Sequence, residues 1–111
     1  MLRTRLREFA KERDWEQFHS PRNLASALIV EAAELLEHFQ WLSATQSRQL
    51  SHSELDEVSD EIGDVLIYLV RLADELGIDP LASAFTKLDK NSEKYPPEMV
   101  SGSMLKYDKY E

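Results

Sequence analysis

The 111-residue sequence contains no cysteine and has only three glycines and four prolines. Without cysteine, disulfide bonds and thiolate metal sites are both excluded. So few glycines and prolines favour long helices over a fold rich in turns. No apolar run approaches the roughly 18 residues that a membrane-spanning helix needs. The first 15 residues carry charges throughout and have no apolar centre, so we expect no signal peptide and, by default, a cytoplasmic location.

Positive charge is also scarce, because 13 lysines and arginines face 21 aspartates and glutamates and leave a net charge of −8. Nucleic acids and anionic membranes attract basic surfaces, so neither is expected as the main partner. The same carboxylates would repel a free polyphosphate. Any nucleotide site on this chain should therefore be bridged by a metal ion or lie on a local basic patch.

The composition is otherwise that of a globular chain, with 42% hydrophobic and 31% charged residues. Hydrophobic periodicity divides it into four amphipathic helices with mostly short links. The expected helices cover approximately residues 2–14, 21–42, 53–76 and 80–95. We therefore predict an all-α, four-helix bundle-like domain over residues 1–97, followed by a polar tail over 98–111. One chain offers only a small core, which favours a homo-oligomer.

Capping signals mark the ends of these helices. Ser20 and Asp79 each precede a proline, which combines an N-cap with the residue best suited to the first helical position. Ser53 is expected to cap the third helix, and Gly77 to lie just past its end. The polar residues 43–53 are predicted to form a loop.

Four carboxylates are distinguished by their position on the helices rather than by their spacing, since acidic pairs at i, i+3 are common in so acidic a chain. Glu31 fills a gap in the apolar stripe of the second helix, and Glu34 borders that gap. Glu61 and Asp64 lie beside the expected core stripe of the third helix. That stripe is interpreted as Val58, Ile62, Val65, Leu69 and Leu72.

Carboxylates so close to a buried stripe cost on the order of several kcal/mol unless they are paired or bound to a metal. Basic residues that could pair with them are few in these two helices. A hard divalent cation such as Mg²⁺ prefers oxygen ligands, so we predict a metal site between the helices. A polar subunit interface is the other interpretation. A di-iron bundle is disfavoured because it needs Glu-x-x-His motifs, and the residue three before His38 is Leu35.

Taken together, these residues resemble a known family. Glu31-x-x-Glu34, followed after 26 residues by Glu61-x-x-Asp64, is similar to the ExxE…ExxD signature of the MazG-like all-α NTP pyrophosphatases. The similarity is greatest to the dCTP pyrophosphatase branch, which carries segments very like ERDWEQFH at 12–19 and DVLIYLV at 64–70. The resemblance covers roughly residues 6–96.

The resemblance implies an Mg²⁺-dependent enzyme that hydrolyses dCTP or a modified dCTP to the monophosphate and pyrophosphate. It implies that the four acidic residues bind the metal and that the chain assembles as a homodimer or homotetramer. Glu34 or Glu61 is the expected activator of water. The implied nucleotide-binding residues are Trp15, Glu16, Gln17, Phe18, His19, Trp41, Tyr68, Lys87 and Asn91. Two alternatives remain open: a related hydrolase with another nucleoside triphosphate as substrate, and a non-catalytic helical module whose acids pair with a basic partner.

Overall fold

The structure is a computed structural model in which residues 1–100 are described, with side chains as far as Glu98. Six α-helices occur in this part of the chain, together with a 3-10 helix at Glu16–Phe18. They are α1 (Leu2–Glu12), α2 (Pro21–Glu37), α3 (Ala44–Ser47), α4 (His52–Glu75), α5 (Pro80–Lys94) and α6 (Pro97–Val100). No strand is found over residues 1–100, so the predicted all-α class is confirmed. The predicted tail falls almost wholly outside the described residues.

The chain divides into two compact units, Met1–Ile78 and Asp79–Glu111. In the first unit α2 packs along α4, and α1 packs against α4 as well. The two long helices are antiparallel, because Arg71 near the end of α4 contacts His19 before α2. At the other end, His38 just after α2 approaches Glu57 early in α4. The second unit carries α5 and α6.

The helix starts predicted from serine or aspartate followed by proline are confirmed. The Ser20 hydroxyl accepts a hydrogen bond from the backbone N–H of Asn23 at 3.1 Å, and this satisfies one free donor of the first turn of α2. The Asp79 carboxylate caps α5 by accepting from the N–H groups of Leu81 and Ala82 at 3.0 and 3.2 Å. Gly77 follows α4 with φ +67, a left-handed conformation that glycine adopts without steric cost.

Three predictions about the connection between the long helices were wrong. The cap of α4 is Ser51 rather than Ser53, because Ser51 has Glu54 three residues on and the two form a reciprocal capping box. The expected loop over 43–53 contains α3, which Ser43 caps in the same way. α2 also ends at Glu37 rather than near residue 42, since the chain tightens into turns with i, i+3 hydrogen bonds beyond that point.

The expected core stripe of α4 also needs correction. Ile62 and Leu69 are exposed, at 53% and 41% of their accessible surface. The residues of α4 that are covered at regular three- and four-residue intervals are instead Val58, Glu61, Val65, Tyr68 and Leu72. Glu61 therefore lies within the covered row rather than beside it. Among the described residues no helix has the length and apolar character required to cross a membrane.

Candidate metal and nucleotide site

Three of the four predicted metal-binding carboxylates meet between α2 and α4. Glu31 and Glu34 lie one helical turn apart on α2, so their side chains project from the same face. Glu61 reaches them from the covered row of α4. One carboxylate oxygen from each of the three lies within 4.8 Å of the other two, and all three residues are half-buried. The packing of two antiparallel helices thus concentrates acidic oxygens at one place.

The electrostatics of this cluster are unfavourable for three negative charges. Burial and the neighbouring Glu34 and Glu61 side chains together raise the pKa of the Glu31 carboxyl to about 7, and burial is the largest cause. A hydrogen bond between two carboxyl groups exists only when one of them holds a proton. The protein alone therefore relieves the repulsion by keeping a proton on Glu31 up to nearly neutral pH.

Two oxygen atoms of the cluster have no hydrogen-bond partner among the described residues. They are Oε2 of Glu31 and Oε2 of Glu61, and both are buried. A buried polar atom without a partner costs roughly 1–3 kcal/mol, and more when it carries charge. Two oxygens bound to one Mg²⁺ at about 2.1 Å stand at most about 4.2 Å apart. The three oxygens already lie within 4.8 Å of one another, so rotation of the side chains could bring them around one ion. The oxygen donors therefore suit a hard divalent cation.

The fourth predicted ligand, Asp64, is not part of this close group. It is exposed on α4, three residues after Glu61. Its charge is nevertheless among the causes that raise the pKa of Glu31, which places its carboxylate in electrostatic range of the cluster. The structure brings together three of the four predicted ligands and leaves Asp64 at the rim.

The segment predicted to hold a base is a short, largely exposed turn between α1 and α2. The Trp15 ring packs edge-on against Phe9 of α1, with ring centroids 5.6 Å apart. The Gln17 side chain donates to the backbone carbonyl of Asp14 at 3.0 Å, so it stabilises the turn. Phe18 is 59% exposed, and Glu16 is exposed too. Two flat aromatic faces are therefore available in this segment.

His19, the last residue of the segment, is tied to the end of α4. Its Nδ1 atom lies 3.4 Å from both Nε and Nη2 of Arg71, which is buried. The sequence prediction missed Arg71 and its partner Asp74 as neighbours of this segment. The pairing of Arg71 with Asp74 could have been found from their i, i+3 spacing. The contact with His19 spans 52 residues and leaves no local signal.

The remaining predicted nucleotide contacts are distributed over α4, the turns after α2, and α5. Tyr68 is half-buried on α4, one turn after Asp64. Trp41 is 86% exposed in the turns that follow α2. Lys87 and Asn91 lie one turn apart on α5, in the second unit. Their contact with a nucleotide stays a prediction.

Comparison with known proteins decides which family this arrangement represents. The sequence pattern of the MazG-like family matches residues 27–109, a stretch that includes all four predicted metal ligands. The chain belongs to the MazG-like family.

Two groups of MazG-like relatives carry enzyme names. The dCTP pyrophosphatase 1 of Mus musculus is 46% identical over 102 residues, and that of Homo sapiens is 44% identical. Each match covers 90% of this chain but only 60% of the relative, so the chain spans less than two thirds of those proteins. A solved pyrophosphatase from Archaeoglobus fulgidus DSM 4304 is 44% identical with a TM-score of 0.78, over 82% of this chain and 85% of that one.

Proposed function

We propose that this MazG-like chain is an Mg²⁺-dependent pyrophosphohydrolase that converts dCTP, or a dCTP with a modified base, to the monophosphate and pyrophosphate. The observation that carries the proposal is the cluster of Glu31, Glu34 and Glu61, with its two unpartnered buried oxygens. The names of the relatives support the reaction, and those of the mammalian relatives support the substrate. Removal of unwanted deoxycytidine triphosphates in the cytoplasm is the role we propose.

The chain's own residues suggest how the chemistry is divided. A divalent cation at the cluster would neutralise phosphate charge and make a water molecule more acidic. Glu31, Glu34 and Glu61 would supply the close oxygen donors, and Asp64 would complete the set if its side chain turned inward from the rim. Glu34 or Glu61 is the residue that we propose as acceptor of a proton from the attacking water, and membership of both in the acidic cluster supports this role. Since the chain is acidic, triphosphate would be repelled from this face without the cation.

Recognition of the base is proposed for the segment between α1 and α2. The exposed aromatic faces of Trp15 and Phe18 can stack on a pyrimidine, and the polar atoms of Glu16, Gln17 and His19 can hydrogen-bond to it. Trp41 and Tyr68 are proposed to line the same pocket, and Lys87 and Asn91 to contact the nucleotide. A homodimer or homotetramer is part of the proposal, because many large apolar side chains remain exposed in the single chain.

The decisive experiment measures pyrophosphate release from dCTP with and without Mg²⁺. We expect activity that disappears with EDTA and returns with excess Mg²⁺. Glu61→Gln should lower kcat by at least about a hundredfold, because it removes charge and a ligand oxygen from the cluster. Asp60→Asn is the matched control, since Asp60 is the preceding residue of α4 and is exposed. It should leave activity within about twofold of the wild type, as expected for a surface change.

The alternatives give different results in the same assay. A related hydrolase would hydrolyse another nucleoside triphosphate faster than dCTP and would still need the cluster. A non-catalytic helical module would release no pyrophosphate from any nucleotide of a panel, and its melting temperature would not respond to Mg²⁺. The second outcome would overturn the proposed activity and the metal site together.

A further inference from the structure

Arg71 has unusual surroundings for an arginine. Only 4% of its surface is exposed, and it is the one charged residue classed as buried among those described. A buried guanidinium is costly unless its donors are satisfied. Here the donors reach Asp74 and Glu75 on the same helix and His19 at the end of the base-binding segment. Arg71 thus joins α4 to the proposed base site.

The contact with His19 fixes the direction of hydrogen bonding. Nε and Nη2 of Arg71 both lie 3.4 Å from Nδ1 of the imidazole. Since a guanidinium has donors and no acceptor, Nδ1 must be the acceptor and cannot hold a proton. A neutral imidazole with a bare Nδ1 carries its proton on Nε2. The structure therefore favours one of the two tautomers of His19.

The guanidinium is itself held in place by carboxylates. Its Nη1 donates to Asp74 at 3.2 Å, and its Nη2 donates to Glu75 at 2.8 Å. Asp74 also accepts from Nε of Arg7 on α1 at 2.7 Å. Because Arg7 of α1 holds the Asp74 carboxylate in turn, the guanidinium that binds this carboxylate has little freedom to turn away from His19. The bonds to His19 are long, so their effect is to orient the ring rather than to add much stability.

We propose that Arg71 is a positioning residue that holds His19 as its Nε2–H tautomer, so that the ring presents a hydrogen-bond donor to the bound nucleobase. The proposal rests on the proposed function, which places His19 beside the base. A cytosine ring offers the acceptors O2 and N3 to such a donor. The opposite tautomer would present a bare Nε2, which would repel both of them. Arg71 would act through His19 and need not touch the substrate.

The charges around His19 agree with this assignment. Burial lowers the pKa of the imidazole first, and the positive charge of Arg71 lowers it further. Glu75 on α4 and Glu16 in the 3-10 helix act in the opposite direction, but the net shift is downward. The imidazolium form, which has no acceptor at Nδ1, is thereby disfavoured at neutral pH.

The tautomer is measured directly by long-range ¹H–¹⁵N NMR of the histidine rings of the full chain at pH 8. In the wild type we expect His19 to show a protonated Nε2 and a bare Nδ1. Arg71→Met keeps much of the aliphatic stem but removes every donor, so the spectrum should become that of a tautomer mixture and the His19 pKa should rise. Arg71→Lys keeps a charge and a donor and should restore part of the wild-type behaviour. Arg48→Met is the control, because Arg48 is exposed at the end of α3.

Kinetics with dCTP give a second readout. Arg71→Met should raise KM about fivefold to tenfold, as expected for one misplaced hydrogen bond, and should change kcat less.

A wild-type His19 with its proton on Nδ1 would overturn the proposal even if the Arg71 variants failed to fold. A tautomer that persists in folded Arg71→Met would overturn it as well. Absence of pyrophosphate release by the wild type would instead refute the proposed function, while the NMR result would still decide the role of Arg71 toward His19.

Discussion

Glu31 stands where α2 meets α4, and two other carboxyl groups share that place. Its pKa of about 7, against an ordinary value near 4.5, means that the folded protein holds a proton there which the unfolded chain has already lost. Between these two pH values the folded state binds more protons than the unfolded state. The stability of the metal-free protein must then fall as pH rises through this window.

This linkage predicts the pH dependence of unfolding. In EDTA, the melting temperature should decrease from pH 5 to pH 7.5, and Glu31→Gln should flatten that slope because glutamine cannot titrate. Glu37→Gln is the control, since Glu37 lies on the same helix and is exposed. Mg²⁺ should stabilise the wild type more at pH 8 than at pH 6, because the ion must displace the proton. A slope in Glu31→Gln equal to that of the wild type would contradict the assignment.

Among single residues, those within one helix were the easiest to place from the sequence. Glu31 and Glu34 are one turn apart, so their common face follows from helical geometry and their position in the apolar stripe pointed inward. Glu61 was also identified, although its true position is in the covered row. The sequence alone could not place Asp64 at the rim. A rotation of α4 about its axis by a fraction of a turn decides whether this side chain faces α2 or solvent. The neighbours of His19 come from a remote helix, and no local pattern encodes them.

At the level of secondary structure, the first residues of the helices were better predicted than their last residues. A serine or aspartate before proline satisfies the first N–H groups and fixes the first φ angle, so the starts of α2 and α5 follow from two adjacent residues. The end of α2 has no glycine or proline to mark it, and the chain there only tightens its hydrogen bonds. Ser53 was the expected cap of α4, but Ser51 is the cap, because Glu54 stands three residues after it and completes the capping box.

The cap of α4 can be tested by a pair of serine variants. The Ser51 hydroxyl accepts from the N–H of Glu54 at 3.2 Å, and the Glu54 carboxylate accepts from the N–H of Ser51 at 3.0 Å. Ser51→Ala should therefore lower the free energy of unfolding by about 1 kcal/mol. Ser53→Ala removes only a hydroxyl that lies 3.3 Å from that of Ser51 and should cost about 0.5 kcal/mol or less. Urea denaturation measures both values, and a larger loss in Ser53→Ala would reverse the assignment.

At the scale of the molecule, very few apolar side chains are buried over residues 1–98. Among the residues whose side chains are described, only Ala10, Leu24, Val58 and Ala73 are buried hydrophobics. In contrast, α4 exposes a row of apolar side chains. They are spaced seven, four and three residues apart, so they lie on one face of the helix. The row consists of Leu55, Ile62, Leu66 and Leu69, each between 41% and 53% exposed. α2 likewise exposes Ile29 and Leu36, seven residues apart. A surface of this kind marks a site of association.

The proposed homo-oligomer would cover this row, and a lysine within it should prevent assembly. We expect the wild type to elute in size-exclusion chromatography with light scattering at two or four times the 12.9 kDa chain mass. Leu69→Lys should shift the population toward the single chain, because burying an unpaired ammonium in an interface costs several times the thermal energy. Asp60→Lys introduces the same side chain at an exposed position on another face of α4 and should keep the wild-type mass.

If the separated chain does not stay folded, the melting temperature of the wild type should rise with protein concentration, as mass action requires for an oligomer. A wild type that runs as a single chain, with a melting temperature independent of concentration, would show that another partner covers the row.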